Sequence, residues 1–377
     1  MKIIYVLPSL EPSGGAERVI TEKANYFVDI FDYEVYIITF YQPKDSTNFY
    51  PLSEKVQQIK LETPDYLQYK YKYPKRLFVK YRINNSLRKA ITQLIDKINP
   101  DIIIGVSYSK ADMISSIKSG AKKIIECHEV KYFDSLSIFN RSIFSKVYHN
   151  YIYYHFIEKN ADLVVTLTNN AKAQWKRAKR VVTIPNSTSI QVKQHSSCEK
   201  KRIIAVGRLC EEKGFERLLT IWRTVSSKHP DWQLAIFGEG KLKNKLENII
   251  DTEHLRNVFL YGTTKNIGKE YLNSSICVVT SYYEGFSLVT LEAMKFGLPC
   301  VAFDCPYGPR NIIEDHKNGF LVENGNNKLF IEKLCCLIEN NNLRYDFSKS
   351  ALETAELYNT DIVMNQWKSL FEKLVKT

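Results

Sequence analysis

The stretch Glu284-Gly-Phe-Ser-Leu-Val-Thr-Leu-Glu292 places two carboxylates eight residues apart, across the start of a predicted helix. The residues before Ser287 lack a helical period, whereas apolar residues recur at helical spacing after it, so a loop gives way to a helix there. The free amides at such a helix start carry partial positive charge and attract phosphate groups. Because more than one helical turn separates Ser287 from Glu292, the two carboxylates can face opposite ends of an elongated, phosphate-bridged ligand. A sugar nucleotide has that shape.

Taken alone, two glutamates can also decorate a loop and a solvated helix face. The flanking sequence is more specific, with Ser281-Tyr-Tyr-Glu-Gly-Phe286 before the helix and Glu292-Ala-Met-Lys-Phe-Gly-Leu-Pro299 within and after it. This segment resembles the Glu, seven residues, Glu signature of family 4 of the retaining glycosyltransferases, of the bacterial surface-polysaccharide type. The resemblance implies that Glu284 contacts the donor sugar and that Glu292 holds the nucleotide ribose. It also places the residues that follow Glu284 in the donor site, namely Gly285, Phe286, Ser287 and Leu288.

The resemblance implies an α/β protein with the GT-B fold, in which two Rossmann-like domains enclose a donor/acceptor cleft. A length of 377 residues is compatible with two domains. We predict an N-terminal, acceptor-side domain over residues 1–187 and a C-terminal, nucleotide-sugar-binding domain over residues 188–357. A final helix at about 358–377 is expected to pack back onto the first domain.

The second predicted domain opens with the strand Arg202-Ile-Ile-Ala-Val206, and its next loop carries two cations, Arg208 and Lys213. Loop cations are usually solvated, yet a guanidinium and an ammonium at a strand-to-helix turn can grip both phosphates of a diphosphate. Their match to the family's Gly-Arg, then Lys-Gly pattern implies pyrophosphate binding. The resemblance also implies that Gly238, after a later strand, helps to form the nucleotide pocket.

The first predicted domain begins with the strand Lys2–Leu7, followed by a loop that ends in Gly14-Gly15 before a helix. Paired glycines let a backbone approach a ligand closely, although the same pair is compatible with a plain tight turn. The resemblance places this loop against the donor phosphates and the acceptor. It also assigns His128, which follows a buried strand, a position beside the donor sugar, whereas a lone histidine is more often structural. Residues 131–160 are rich in Phe, Tyr and Ile, as buried helices or an acceptor-side surface would be.

Basic residues are concentrated in the first half of the chain. Residues 1–187 carry a net charge of +10 and residues 188–377 a net charge of +2. The segment Tyr66–Ala90 holds eight basic residues, five tyrosines and no acidic residue. Such a pattern fits a solvated helix, a patch that binds an anionic membrane surface, or a single-stranded nucleic-acid site. Because no nucleic-acid-binding motif accompanies it, we predict no nucleic-acid partner and a membrane or acceptor patch formed by Lys70, Lys72, Lys75, Arg76, Lys80 and Arg82.

Composition is that of an ordinary globular protein, with 44% hydrophobic and 25% charged residues. No run approaches a membrane-spanning helix, and Ile3–Leu7 is too short for a secretory signal, so we expect a cytoplasmic protein peripheral to the inner face of the membrane. The eight cysteines show no Cys-x-x-Cys spacing, which predicts neither a disulfide nor a zinc site. No two aspartates stand two residues apart, so the Asp-x-Asp motif of metal-dependent transferases is absent. We expect no cofactor and no metal.

The resemblance implies a retaining α-glycosyltransferase, and with the basic segment we expect it to extend a lipid-linked or polysaccharide acceptor from a nucleotide sugar, with UDP as the expected nucleotide. A soluble transferase that makes a disaccharide would need no membrane binding. A GT-B nucleotide-sugar epimerase would release free sugar without an acceptor. A non-enzymatic nucleic-acid-binding protein would ignore sugar nucleotides and bind oligonucleotide with steep salt dependence.

Overall fold

The computed structural model describes residues 1–128 and 153–376, and the chain divides into two compact units. Unit 1 comprises Met1–Pro185 with Val363–Thr377, and unit 2 comprises Asn186–Ile362. Each unit is built on a parallel sheet with helices packed against it. The α/β class predicted from the sequence is therefore confirmed.

The strands of unit 1 are short apolar runs, as expected for a parallel sheet that is buried on both faces. They pair in parallel in the order β3-β2-β1-β4-β5-β6-β7. Their bounds are β1 Lys2–Leu7, β2 Glu34–Thr39, β3 Gln57–Lys60, β4 Ile102–Val106, β5 Lys122–Cys127, β6 Leu163–Thr166 and β7 Val181–Thr183.

Side chains at alternate strand positions belong to two separate apolar clusters, one on each face of this sheet. Helices pack on both clusters and so cover both faces. The helices described in this part of unit 1 are α1 Gly15–Asp29, α2 Lys75–Ile98, α3 Ala111–Ser115, α4 Tyr154–Asn160 and α5 Asn169–Lys172. A 3-10 helix at Asp65–Lys70 precedes α2. In α2 the buried residues are Leu87, Ile91, Ile95 and Ile98, so its first three turns are not part of the core.

Unit 2 repeats the same design with the strand order β10-β9-β8-β11-β12-β13. Its strands are β8 Arg202–Val206, β9 Gln233–Phe237, β10 Val258–Leu260, β11 Ile276–Val279, β12 Cys300–Asp304 and β13 Gly319–Glu323. Its helices are α6 Phe215–Lys228, α7 Lys243–Thr252, α8 Ile267–Leu272, α9 Leu288–Lys295, α10 Asn327–Glu339 and α11 Asn341–Glu356, with 3-10 turns at Glu211–Lys213 and Pro309–Asn311. The order reverses between β8 and β11, and such a switch point opens a ligand-binding crevice at the carboxyl ends of the strands.

The last helix, α12 Thr360–Val375, begins in unit 2 and continues into unit 1. Its first residue is tied to unit 2, because Thr360 Oγ1 donates to the Thr188 carbonyl at 3.1 Å. Its later residues, including Trp367 and Phe371, belong to the core cluster of unit 1. The division at 185/186 lies two residues before the predicted boundary of 187, and the return at 362/363 lies within the helix instead of ahead of it.

Candidate active site

The switch point of unit 2 brings together two predicted site residues that lie 71 residues apart in the sequence. Lys213 follows β8 and Glu284 follows β11, and Lys213 Nζ donates to Glu284 Oε1 at 2.8 Å. Ser281 Oγ donates to the same carboxylate oxygen at 2.7 Å. Burial opposes the charge on Lys213, but the Glu284 carboxylate outweighs it, so the pKa of the lysine is raised. The lysine is therefore charged at neutral pH.

Arg208, the second predicted phosphate ligand, lies on the same loop but is held far more loosely. Its side chain is 64% exposed, and its nearest carboxylate is that of Glu212, 3.4 Å from Nη2. An exposed pair at that distance contributes little to stability. The guanidinium can therefore turn from Glu212 to a bound anion at small cost, whereas Lys213 is fixed in place.

The residues after Glu284 offer free backbone amides at the start of a helix, whereas the side chains of Phe286 and Ser287 are buried. Helix α9 begins at Leu288, so its free amides lie at Ser287 and beyond, as the sequence predicts. Ser287 is buried, and its hydroxyl bonds Thr290 Oγ1 at 2.8 Å. The Phe286 ring is also buried and packs edge-on against Tyr358. The Phe286 side chain therefore forms part of the packing, and its role in donor binding stays a prediction.

Two glycines shape this edge of the sheet for steric reasons. Gly238 has φ of 143°, and a Cβ there would overlap the Gly207 carbonyl oxygen, so the backbones of these two loops touch. Gly308, which the sequence analysis did not single out, lies against Glu284, since a Cβ there would be 2.5 Å from Glu284 Cβ. A side chain at Gly308 would therefore clash with Glu284, the partner of Lys213.

Glu292, the second glutamate of the motif, is buried on α9. Tyr271 on α8 donates its hydroxyl to Glu292 Oε2 at 3.0 Å. This partner was not predicted, because nothing in the sequence around Tyr271 distinguishes it from an ordinary core tyrosine. The bond fixes one oxygen of the carboxylate predicted to hold a ribose.

Arg217 on α6 is a further residue that sequence reasoning missed. Its guanidinium donates to the carbonyls of Thr280 and Ser281 at 2.6 and 2.5 Å, and lies 4.0 Å from the ring centroids of both Tyr282 and Phe303. Burial lowers the pKa of Arg217 to about 10, which still leaves it charged at neutral pH. It anchors the two residues that follow β11, on the loop that leads to Glu284.

In unit 1, the paired glycines stand at the start of α1, with Gly14 immediately before the helix and Gly15 as its first residue. A Cβ on Gly14 would overlap the Glu17 carboxylate, so an acidic side chain from the first turn lies beside this loop. An anion that approached these amides would have to displace Glu17. Nothing in the sequence around Gly14 indicates that competition.

His128 follows β5 and lies among buried charges. Its Nε2 is 2.9 Å from Glu126 Oε2, and Lys23 Nζ bonds the same oxygen. The aromatic segment predicted after it, residues 131–160, falls mainly outside the described residues. Of its described part, Tyr153 is buried, accepts from the Ala111 amide and donates to the Ser107 carbonyl.

The residues of the predicted basic patch lie on the 3-10 helix and the first turns of α2, and most of them are exposed. We call this patch the basic-aromatic surface, and it consists of Tyr66, Tyr69, Lys70, Tyr71, Lys72, Tyr73, Lys75, Arg76, Leu77, Phe78, Lys80, Tyr81 and Arg82. Cations lie over its rings, with Lys75 over Tyr71 and Arg76 over Tyr69, each at 4.5 Å. Arg76 is half-buried, and the other five predicted basic residues are exposed.

The eight cysteines are free thiols. In residues 1–128 and 153–376, one group of potential metal ligands, His229, Cys335 and Glu339, has its ligand atoms within 4.8 Å of one another. Glu339 is 63% exposed, and its Oε1 lies 3.2 Å from His229 Nε2. The group includes none of the predicted site residues, and the absence of a metal from the reaction stays a prediction. Among the described helices, none is long and apolar enough to cross a bilayer.

Comparison with known proteins matches both halves of the chain to glycosyltransferase models. Residues 13–191 match "Glycosyltransferase Family 4" and residues 186–354 match "Glycosyl transferases group 1". The amylovoran biosynthesis glycosyltransferase AmsD of Erwinia amylovora is 27% identical over 98% of this chain and 99% of its own length. The poly(ribitol-phosphate) alpha-N-acetylglucosaminyltransferase of Staphylococcus aureus is 35% identical, over 51% of this chain and 39% of that protein.

Among solved structures, S. aureus TarM in complex with UDP, fondaparinux and alpha-GlcNAc-glycerol superimposes with a TM-score of 0.77 at 20% identity. The match covers 98% of this chain and 100% of that one. At that identity the likeness concerns the fold, and it confirms the predicted GT-B class.

Proposed function

Because the chain belongs to family 4 of the glycosyltransferases, we propose that it transfers a sugar, with retention of configuration, from a UDP-sugar to a lipid-linked or polysaccharide acceptor of a cell-surface glycan. The observation that carries the proposal is the Lys213–Glu284 pair at the switch point of unit 2. Relatives that act in amylovoran biosynthesis and on poly(ribitol-phosphate) support the glycan acceptor, and UDP in the TarM complex supports the nucleotide.

The donor diphosphate binds at the loop after β8 and at the start of α9. Lys213 and the helix amides supply fixed positive potential, and Arg208 closes on the phosphates from its exposed position. As the bond from the sugar to the diphosphate breaks, negative charge grows on the leaving group, and these groups stabilise it more in the transition state than in the ground state. Glu284 contacts the sugar, and Glu292 binds the ribose.

Retention follows when the acceptor hydroxyl attacks from the face that the diphosphate leaves. In that arrangement a donor phosphate oxygen accepts the acceptor proton, so no protein nucleophile is required. The alpha configuration in the name of the poly(ribitol-phosphate) relative is consistent with this outcome. The anomeric configuration of the product, read by NMR against an α-linked donor, tests it.

We further propose that the basic-aromatic surface holds the enzyme at the inner face of an anionic membrane. Lysines and arginines suit the headgroup layer, and Tyr66, Tyr73 and Phe78, each more than 60% exposed, suit the interface below it. The first three turns of α2 contribute nothing to the core, so packing does not explain their apolar residues. This surface favours a lipid-linked acceptor over a soluble, disaccharide-forming reaction.

The decisive experiment is a donor screen followed by transfer. Thermal stabilisation by UDP, GDP and ADP identifies the nucleotide, and matching nucleotide sugars are then assayed with and without membrane-extracted lipid-linked glycan. Acceptor-dependent incorporation of sugar into the lipid fraction is expected. Release of free sugar without acceptor would identify an epimerase or hydrolase, and stabilisation by no nucleotide would contradict the proposal.

A further inference from the structure

The interior of unit 1 contains an ion pair and an imidazole that its packing alone does not require. Lys23 on α1 and Glu126 on β5 bond each other, and their side chains are 3% and 2% exposed. His128 Nε2 bonds the same Glu126 oxygen at 2.9 Å, with 5% of its side chain exposed. Tyr5 on β1 donates its hydroxyl to the other oxygen, Oε1, at 3.2 Å. Three chemically active side chains, those of Lys23, His128 and Tyr5, therefore converge on the Glu126 carboxylate.

These contacts keep Glu126 ionised. Burial alone would raise its pKa, but Lys23 and His128 outweigh burial and lower the pKa of the carboxyl to about 2. Burial lowers the pKa of Lys23, and the Glu126 charge opposes that change. The Trp367 ring, whose centroid is 4.3 Å from Lys23 Nζ, provides a further favourable contact for the ammonium.

A buried ion pair of this kind is weak support for stability, because desolvation of two charges offsets their attraction. Replacement of such a pair by apolar residues of similar volume is often neutral. Its presence beside a histidine at the carboxyl edge of the sheet therefore calls for another explanation.

Hydrogen-bond chemistry supplies one. An ionised carboxylate can only accept, so the proton in the bond between His128 and Glu126 must reside on Nε2. In the neutral imidazole, the other nitrogen, Nδ1, is then an acceptor. The position of one proton is thus determined by a carboxylate that Lys23 keeps charged.

We infer that Glu126 is a positioning residue, which with Lys23 holds His128 in the Nε2–H tautomer and so offers Nδ1 as an acceptor to a substrate hydroxyl at the carboxyl edge of the unit 1 sheet. The inference rests on the proposed function, because the hydroxyl belongs to a substrate of the proposed transfer. An acceptor at a fixed place orients that substrate for transfer, and orientation of this kind is expressed in turnover more than in substrate affinity.

Two variants separate this role from a structural one. In Glu126→Gln the amide oxygen can still accept from Lys23 and His128, so the tautomer is retained and turnover should stay above that of a variant that lacks this acceptor. Lys23→Met/Glu126→Leu removes both charges and the acceptor but keeps the volume. Its turnover should fall by roughly 10- to 100-fold with little change in KM, as in His128→Ala. Adding His128→Ala to the apolar pair should then cost no further activity.

The tautomer itself is measured without any substrate. The full chain is labelled with 15N-histidine, and the signals of His128 among the seven histidines are identified by their loss in His128→Gln. At alkaline pH we expect a protonated Nε2 and an unprotonated Nδ1 in the wild type and in Glu126→Gln. In Lys23→Met/Glu126→Leu we expect a mixture of the two neutral tautomers of His128.

A proton on Nδ1 in the wild type would overturn the inference. A folded Lys23→Met/Glu126→Leu variant would also overturn it in either of two cases. One is that the variant keeps wild-type turnover, and the other is that it loses further activity when His128→Ala is added. If the apolar pair does not fold, the wild-type spectrum still decides the tautomer. Failure of every nucleotide sugar as a donor would refute the proposed function and leave the spectrum interpretable, so the two failures are distinguishable.

Discussion

Lys213 Nζ lies 2.8 Å from Glu284 Oε1, so the cation predicted to bind a diphosphate and the carboxylate predicted to face the sugar already neutralise each other. A bound donor must therefore share Lys213 with Glu284. The two residues form one unit, and a change at either alters the charge that the other presents to a ligand.

Glu284→Gln should preserve or strengthen UDP binding while it weakens transfer. The amide still accepts from Lys213 but carries no charge, so the phosphates meet more positive potential, and we expect UDP affinity equal to wild type or up to about tenfold higher. Turnover should fall, because the sugar loses its carboxylate contact in the transition state. Calorimetry with UDP and a transfer assay measure the two effects. A variant that loses UDP affinity and keeps its turnover would contradict the assignment.

Arg208→Ala and Lys213→Met should differ in stability although both weaken UDP binding. Arg208 is exposed, so its removal should change the free energy of unfolding by less than about 0.5 kcal/mol. Lys213→Met strands Glu284 in a partly buried place and should cost about 1–3 kcal/mol. Thermal unfolding without nucleotide measures the stability of both variants. Lys213→Met/Glu284→Gln is the control, and it should recover part of the stability that Lys213→Met loses. Equal unfolding midpoints for the two single variants would contradict the difference in burial.

Glu292→Ala should weaken UDP binding by roughly 1–3 kcal/mol, since it removes the acceptor proposed for the ribose hydroxyls. Tyr271→Phe removes the hydroxyl that fixes Glu292 Oε2 and should cost about 0.5–1.5 kcal/mol. Calorimetry is repeated with 2′-deoxy- and 3′-deoxy-UDP. The loss in Glu292→Ala should disappear for the analogue that lacks the contacted hydroxyl, and an undiminished loss for both analogues would place Glu292 away from the ribose.

Transfer should survive a chelator, because Arg208, Lys213 and the amides at the start of α9 are proposed to stabilise the leaving diphosphate. The assay is run with EDTA and a true acceptor, and then with added manganese or magnesium. Activity in EDTA should stay within about twofold of the untreated enzyme. Complete loss in EDTA, restored by manganese, would require a metal that the sequence does not predict.

Neutralisation of Lys70, Lys72, Lys75 and Arg76 should release the protein from anionic vesicles, since each basic residue near the surface contributes about 1 kcal/mol at low salt. A matched control neutralises three lysines and one arginine elsewhere on the exposed surface of unit 1, namely Lys118, Lys172, Lys176 and Arg177. Co-sedimentation with phosphatidylserine vesicles measures both. If the two variants sediment alike, the charge of the protein as a whole, and not the basic-aromatic surface, governs binding.

The sequence was sufficient for the strands and for the loops that follow them, because buried parallel strands are short apolar runs with glycines and cations after them. It did not predict the Lys213–Glu284 bond, since the strand order that brings residues 71 positions apart together is a tertiary property. Lys23 was missed for a related reason. A lysine in an amphipathic helix is normally solvated, and its partner Glu126 lies 103 residues away. The motif assigned Phe286 to the donor site, but it could not predict that the Phe286 ring packs edge-on against Tyr358.

Helix α12 has a consequence for the order in which the chain folds during synthesis. The core of unit 1 includes Trp367 and Phe371, and the Phe371 ring packs edge-on against Phe27 of α1 at 5.4 Å. These residues leave the ribosome after the whole of unit 2, so unit 1 is translated first but completes its core last. Until then Lys23 lacks the Trp367 ring that covers it. The nascent N-terminal half must therefore persist with an open hydrophobic face, where it is exposed to chaperones and proteases while unit 2 is already able to fold.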